Sequence, residues 1–67
     1  MSMAKITEIS AASNESFDDA IRQGLERASK TLKNIQGAWI HEQKVRVVEN
    51  EIDEWRVIMK VSFVLDE

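Results

Sequence analysis

The sequence contains no cysteine and no proline, and it has a single histidine. Without cysteine the chain forms no disulfide or thiolate metal site, and one histidine excludes a zinc site built from several imidazoles. A chain of 67 residues forms one small domain, whose own core is marginal because short chains bury a small fraction of their surface. We therefore predict that self-association completes the core.

The sequence also lacks a basic excess and a long apolar run. It has 12 acidic and 9 basic residues, for a formal charge of -3. This balance does not provide the basic stripe with which proteins bind nucleic acid. No apolar stretch approaches the roughly 20 residues of a membrane span, and the first five residues lack the apolar core of a signal peptide. We expect a cytoplasmic protein with neither nucleic acid nor membrane as a partner.

Glycine is scarce, with Gly24 and Gly37 as its two occurrences, and no segment reads as a linker or a repeat. We predict one domain over residues 1–67. The clearest element in it is an amphipathic helix at about 14–34, capped by Ser13 or Asn14. Gly24 lies on its apolar side, where it lets a strand approach or is simply tolerated. The apolar stripe recurs at three- and four-residue steps and consists of Phe17, Ala20, Ile21, Leu25, Ala28 and Leu32.

Three segments have the pattern of strands. Residues 55–65 are apolar at every odd position, which predicts a strand with one face on the helix. Residues 37–48 form a second long strand, in which Trp39, His41 and Gln43 share one face. Residues 5–11 are a weaker strand, in which Ile6 and Ile9 do not alternate and a bulge is an alternative. A short connection over residues 49–52 predicts an antiparallel hairpin.

The resulting fold class is α+β, with the order β-α-β-β and a three-stranded antiparallel sheet wrapped around one helix. Strands of 11 or 12 residues are long for so small a domain. They leave a long uncovered edge, which favours pairing with another copy and closure into a symmetric oligomer.

The chain resembles the dodecin family over almost its whole length. The carrying segments are residues 14–17 (Asn-Glu-Ser-Phe) at the helix start, 28–35 (Ala-Ser-Lys-Thr-Leu-Lys-Asn-Ile) at its end, and 61–66 (Val-Ser-Phe-Val-Leu-Asp) in the last strand. The resemblance implies a hollow homododecamer built from trimers. It also implies binding of a flavin, which is riboflavin, lumichrome or FMN, for storage or protection without catalysis.

In the family a tryptophan early in the second strand stacks on the flavin, and a glutamine in the third strand binds the ring edge. These positions are Gly37 and Arg56 here, so the resemblance predicts an altered site. Trp39 lies roughly 6.5–7 Å further along the same strand face and is an alternative stacking platform, or it packs on a neighbouring subunit. Arg56 and Lys44 face an anionic ligand, or they pair with Glu42 or another acid.

A subgroup called calcium dodecins also lacks the stacking tryptophan. The pair Glu42-Gln43 and the arginine at position 56 are similar to that subgroup, and we place the chain nearer to it. Calcium or another divalent ion at the symmetry axes is then a possible cofactor. The acidic residues around the hairpin form either a solvated turn or part of such a site, and they are Glu49, Glu51, Asp53 and Glu54.

No residue pattern indicates an enzyme. His41 has no catalytic partner at a recognisable spacing, and no serine lies in a nucleophile motif. The sequence therefore predicts a non-catalytic, dodecin-like shell that stores or buffers a flavin-type small ligand at an altered site. The alternative is a flavin-free assembly with a structural or metal-ion-binding role.

Overall fold

The computed structural model describes residues 3–65, which form three strands and one helix. The elements are β1 (Met3–Ser13), α1 (Phe17–Ala28), β2 (Ile35–Val48) and β3 (Glu51–Leu65), in that order along the chain. The strands make one antiparallel sheet with the spatial order β1-β3-β2. The predicted fold class is confirmed. No helix in residues 3–65 has the length and apolar character needed to cross a membrane.

Helix α1 is shorter than the predicted span of 14–34. Its N-cap is Ser16, whose hydroxyl accepts a hydrogen bond from the backbone N–H of Asp19 at 3.0 Å. Ser13 is instead the last residue of β1. Its hydroxyl accepts from the N–H of Glu15 at 2.9 Å and donates to the Asp19 carboxylate at 2.6 Å. The expected cap at Ser13 therefore braces the turn into the helix.

The helix ends at Ala28, and hydroxyl side chains bond carbonyls of its last turn. The Ser29 hydroxyl donates to the Glu26 carbonyl at 2.7 Å, and the Thr31 hydroxyl donates to the Ala28 carbonyl at 3.4 Å. Asn34 then adopts a left-handed conformation with φ 63°, which turns the chain into β2. Leu32, the last residue of the predicted stripe, thus lies after the helix.

The core lies between α1 and the central strand β3. The odd positions of β3 face the helix as predicted, and Val57, Met59 and Val61 are fully buried. Ala20 of α1 is also fully buried among them. The partly buried residues packed around this centre come from β1 and α1, and they are Ile9, Ala11, Phe17, Ile21 and Leu25.

Gly24 provides the close approach of helix and sheet that its position suggested. A Cβ atom at Gly24 would lie 2.8 Å from Met59 Cε and 2.9 Å from Ala11 Cβ. Both distances are shorter than van der Waals contact. A side chain at this position would therefore push α1 away from the sheet, and simple tolerance of the glycine is the wrong interpretation.

Strand β1 pairs with β3 without interruption from Met3 opposite Leu65 to Ser13 opposite Trp55. The bulge considered for this strand is absent from residues 3–13. Ile6 is instead on the side of the sheet away from α1 and 55% exposed, which explains why Ile6 and Ile9 do not share a face.

The irregularities lie in β2. Ile40 pairs with Met59 and Glu42 with Ile58, so His41 is an extra residue without a partner on β3. The face assignment expected from strict alternation is therefore wrong beyond His41: Trp39 shares a face with Glu42 and Lys44, not with Gln43. Further register shifts lie between Ile35 and Gly37 and between Arg46 and Val47.

The hairpin between β2 and β3 is tighter than predicted. Glu49 and Asn50 have φ values of 52° and 65°, which is the conformation of a two-residue turn with both central residues left-handed. Pairing begins at once with Val48 opposite Glu51, so β3 starts at Glu51 and not at Trp55.

Candidate functional site

The sheet has two faces with different roles. We call the side away from α1 the outer face. It carries the even positions of β3 from Glu54 to Ser62, since the odd positions pack on the helix. Residues directly opposite one another in a sheet point to the same side. The outer face therefore includes the partners of these positions, which are Ile6, Glu8, Ser10 and Ala12 on β1 and Gly37, Trp39, Glu42, Lys44 and Arg46 on β2.

All four residues predicted to contact a ligand lie on this outer face. Gly37 is opposite Ser62, Trp39 is opposite Lys60, and Lys44 is opposite Arg56. The bulge at His41 is what brings Lys44 to the same side as Trp39. Along the strand, however, the Gly37 level and the Arg56 level are six β3 residues apart, or roughly 20 Å. The four residues thus lie at separate levels of the same face within one chain.

Trp39 is the large aromatic surface of the outer face. Its side chain is 48% exposed although it lies within a strand, and Gly37 leaves an open position beside it. A Cβ atom at Gly37 would come no closer than 3.6 Å to its nearest neighbour, the Ser62 hydroxyl oxygen. The backbone of Gly37 does not have a positive φ either. Nothing in the local structure therefore requires glycine, and the open position is a property of the surface.

Arg56 has its donors engaged within the chain. Its Nε donates to Glu54 Oε2 at 3.2 Å, and its Nη1 donates to Ser10 Oγ at 3.0 Å. Its side chain is 40% exposed. Lys44 Nζ lies 3.5 Å from Glu42 Oε2, which is the pairing considered from the sequence. Both cations are thus held by acids on their own strands, where they present donors and no acceptor to a ligand.

Arg46 anchors the end of the outer face next to the hairpin. Its Nε donates to Asp53 Oδ2 at 2.9 Å, and its Nη2 also contacts Asp53 and lies 3.8 Å from Glu54. The hydrogen bond to Asp53 and the charges of Asp53 and Glu54 raise the pKa of Arg46 above its usual value. Two of the four acids of the hairpin cluster are therefore neutralised by arginine.

The described residues 3–65 contain no group of three or more acidic or histidine side chains placed to hold a metal ion. His41 is exposed in its bulge at the free edge of β2. A metal site, if built from these acids, needs carboxylates from more than one copy of the chain.

A groove of about 540 Å³ runs between α1 and β1, on the far edge of the sheet from β2. Its lining includes Ser10, Ala12, Gln23, Gly24, Arg27 and Thr31. None of the predicted ligand residues belongs to it, so it is separate from the candidate site.

Sequence reasoning missed Lys60, Ser62 and Glu8, which also face the candidate site. Their alternation in β3 and β1 was visible, but their nearness to Trp39 depends on the register of three strands. Only the register, in which Lys60 lies between Trp39 on one side and Glu8 on the other, shows that these three residues form a row across the sheet.

Comparison with known proteins gives one consistent result. The family model described as Dodecin matches residues 3–66. A dodecin from Streptomyces davaonensis has 39% sequence identity and a TM-score of 0.93, with 98% of this chain and 97% of that chain covered. A single-residue variant of the Thermus thermophilus dodecin has 30% identity and a TM-score of 0.95 over the full length of both chains.

A more distant similarity is to a calcium dodecin from Mycobacterium tuberculosis, which is described as calcium-chelating. It has 26% identity and a TM-score of 0.82, with 96% of this chain and 91% of that chain covered. No curated protein sequence matches. Because the family model spans nearly all 67 residues and full-length relatives share 30% identity or more, this chain belongs to the dodecin family.

Proposed function

We propose that this protein is a non-catalytic shell of twelve copies, built from trimers, that stores or buffers a planar ligand of the flavin type. Dodecins are small flavin-binding proteins that are generally not enzymes. The proposal goes further than family membership in assigning the ligand site to the outer face of the sheet.

The position of Trp39 is the observation that carries the ligand proposal. A half-exposed indole in the middle of a strand offers a flat apolar surface on which a ring system can stack. It lies on the same side as Gly37, where the family's stacking tryptophan would be, and two residues further along the strand. We infer that Trp39 is the stacking platform, shifted along β2.

The assembly proposal rests on β2. Not one of its 14 residues is buried, although it is flanked by a well-packed strand. Its apolar side chains Val45, Val47 and Val48 are between 39% and 56% exposed. A long strand with a free edge and apolar side chains on the surface is stable in solution when another copy covers it. Assembly would also bring to Trp39 the Lys44 and Arg56 side chains of another copy, since within one chain the Arg56 level lies four β3 residues, or roughly 13 Å, from the Trp39 level.

We further propose that the chain is nearer to the dodecin subgroup without the usual flavin contacts. Gly37 provides no ring to stack on, and Arg56 provides only donors where a flavin edge needs donors and acceptors. The bonds from Arg56 to Glu54 and Ser10 keep its guanidinium close to β3. Flavin binding is therefore expected to be weaker than at the usual site.

Flavin fluorescence tests the ligand proposal directly. Stacking on an indole quenches it, so titration of riboflavin or FMN with the assembled protein should give saturable quenching. Trp39→Ala should abolish that quenching, and Phe63→Leu, inside the core, is the matched control that should leave it unchanged. If micromolar protein does not quench flavin fluorescence, the flavin proposal is contradicted. If the Trp39→Ala variant quenches as strongly as the unmodified protein, the proposal that Trp39 is the stacking platform is contradicted.

A gain-of-function variant tests the altered site. Gly37→Trp combined with Arg56→Gln restores the two residues that the family uses, and the space at Gly37 accepts a Cβ atom. The double variant should bind flavin at least tenfold more tightly than the unmodified chain. Equal affinity of the two proteins would show that these positions do not define the ligand site.

The second candidate is a flavin-free assembly that holds calcium or another divalent ion at its symmetry axes. The similarity to the calcium dodecin of Mycobacterium tuberculosis favours it. The ion pairs of Asp53 and Glu54 with Arg46 and Arg56 oppose it, because paired carboxylates are poor calcium ligands. Calorimetric titration of chelator-treated protein with calcium decides between them: saturable heat with no flavin quenching would support this candidate.

A further inference from the structure

Lys60 lies between Trp39 and Glu8 on the outer face of the sheet. It is in the central strand β3, directly opposite Trp39 on β2 and directly opposite Glu8 on β1. Directly opposed residues of an antiparallel pair have Cα atoms about 4.5–5.5 Å apart. The side chain is partly buried, unlike the exposed Trp39 and Glu8 that flank it. A ring that stacks on Trp39 would therefore have the Lys60 side chain beside it on the neighbouring strand.

Lys60 is also the cation of the outer face that no acid holds. Arg46, Lys44 and Arg56 each form an ion pair with a carboxylate on the same face or at the hairpin. Within residues 3–65 Lys60 forms no ion pair and no side-chain hydrogen bond, although Glu8 is its neighbour in the register. A partly buried lysine whose ammonium donors have no partner within residues 3–65 favours an anion brought to it from outside.

We propose that Lys60 makes the Trp39 platform select planar ligands that carry an anionic group, so that a flavin phosphate is preferred over the uncharged flavin. This inference rests on the proposed function, because it assigns the ligand class of the same site. A lysine side chain extends about 6 Å from its Cα, so that its ammonium can reach a phosphate attached to a stacked ring by a short flexible chain.

The size of the preference follows from the solvent exposure of the site. Unit charges about 4–6 Å apart near a protein surface attract by an amount that salt and water reduce strongly. We therefore expect FMN to bind about fivefold more tightly than riboflavin at low ionic strength, and the preference to shrink as salt is added. An uncharged flavin gains nothing from Lys60 beyond one hydrogen bond.

The test compares the dissociation constants of FMN and riboflavin, measured by flavin fluorescence with the assembled protein. Lys60→Gln keeps the length and polarity of the side chain and should bring the two constants to near equality, by weakening FMN while riboflavin is unchanged. Glu8→Gln removes the competing carboxylate and should strengthen FMN by about twofold. Light scattering on each variant should give the mass of the unmodified assembly.

Each outcome bears on the inference in a different way. Equal affinity for FMN and riboflavin in the unmodified protein overturns it and leaves the proposed flavin site intact. A preference that persists in Lys60→Gln overturns it too, as does an equal loss of both ligands. Absence of binding by both flavins overturns the proposed function itself, and the inference with it.

Discussion

Small side chains determine how the helix meets the sheet. Gly24 lets Met59 and Ala11 lie against the helix backbone, and Ser13 is a buried hydroxyl that links β1 to the first turn of α1. Neither role depends on hydrophobicity, which is the property that the sequence pattern reveals most clearly. At this scale the ligand platform that we propose likewise depends on one exposed indole, Trp39, beside the missing side chain of Gly37.

Gly24→Ala should destabilise the protein although alanine favours helices. The new Cβ atom would meet Met59 Cε, which can move, and Ala11 Cβ, which is attached directly to the β1 backbone and cannot. Overpacking of this kind costs about 1–3 kcal/mol, against a gain of about 1 kcal/mol in helix propensity. We expect a net loss of about 1 kcal/mol in the free energy of unfolding, measured by denaturant titration.

The control for this prediction is Gln23→Ala, at the adjacent exposed position of the same helix. It gains helix propensity without meeting the sheet, so stability should stay within about 0.5 kcal/mol. A Gly24→Ala variant that is more stable than the Gln23→Ala variant would show that α1 moves away from β1 at no cost.

At the scale of elements, hydrophobic periodicity predicted the type and order of all four segments. It identified the apolar stripe of α1 and the odd positions of β3 that form the core, because burial against one partner imposes a single period. The ends were less predictable. The helix stops at Ala28, where the Ser29 and Thr31 hydroxyls bond carbonyls of its last turn, although the apolar period continues to Leu32.

The candidate site was predictable in part, from the resemblance to a known family and not from periodicity. The resemblance pointed to Gly37, Trp39 and Arg56, whereas strict alternation put Lys44 on the opposite face from Trp39, and the structure brings it to the same face. The single extra residue His41 was not predictable, since both faces of β2 carry mixed side chains and no pattern marks the bulge. Lys60 was missed because its neighbours come from two other strands.

Deletion of His41 should be tolerated. His41 has no partner on β3, so its removal joins Ile40 to Glu42 in regular alternation and leaves every pairing in place. We expect a folded, assembled protein whose thermal midpoint falls by no more than a few degrees. Circular dichroism and light scattering measure the two properties.

Deletion of Ser10 from β1 is the matched comparison, since it also removes one exposed strand residue. In the unbroken register of β1 it would turn Ile9 to the outer face and Glu8 towards the helix. That variant should fail to fold. Equal tolerance of the two deletions would mean that the extra residue in β2 is not a bulge in solution.

The described part of the chain is elongated, with principal extents of 52 × 19 × 13 Å. Helix α1 packs on β1 and β3, and β2 extends the sheet beyond the part that the helix covers. A shape of this kind has too little interior for its surface. The assembly that we propose thus follows from the proportions of the described chain and not from any one residue.

Val47→Lys should weaken the assembly while leaving the fold of the single chain intact. Val47 is 56% exposed in β2, so the substitution removes little packing within one copy. A lysine on an edge strand opposes pairing with another chain. We expect light scattering after size exclusion to show species smaller than the unmodified assembly, down to the 7.7 kDa of one chain.

Lys30→Glu, at an exposed position just after α1, is the control and should keep the full mass. A Val47→Lys protein with the mass of the unmodified assembly would place the interface elsewhere on the chain.

The two faces of the sheet also bear on how the family diversifies. The core cluster lies between α1 and the odd positions of β3, whereas Gly37, Trp39 and Lys60 lie on the other side. Substitutions on the outer face therefore change the surface that we propose as the ligand site while leaving the core contacts in place. A ring can be exchanged, shifted by two residues or given a different neighbouring charge there, while selection on the core preserves the same scaffold.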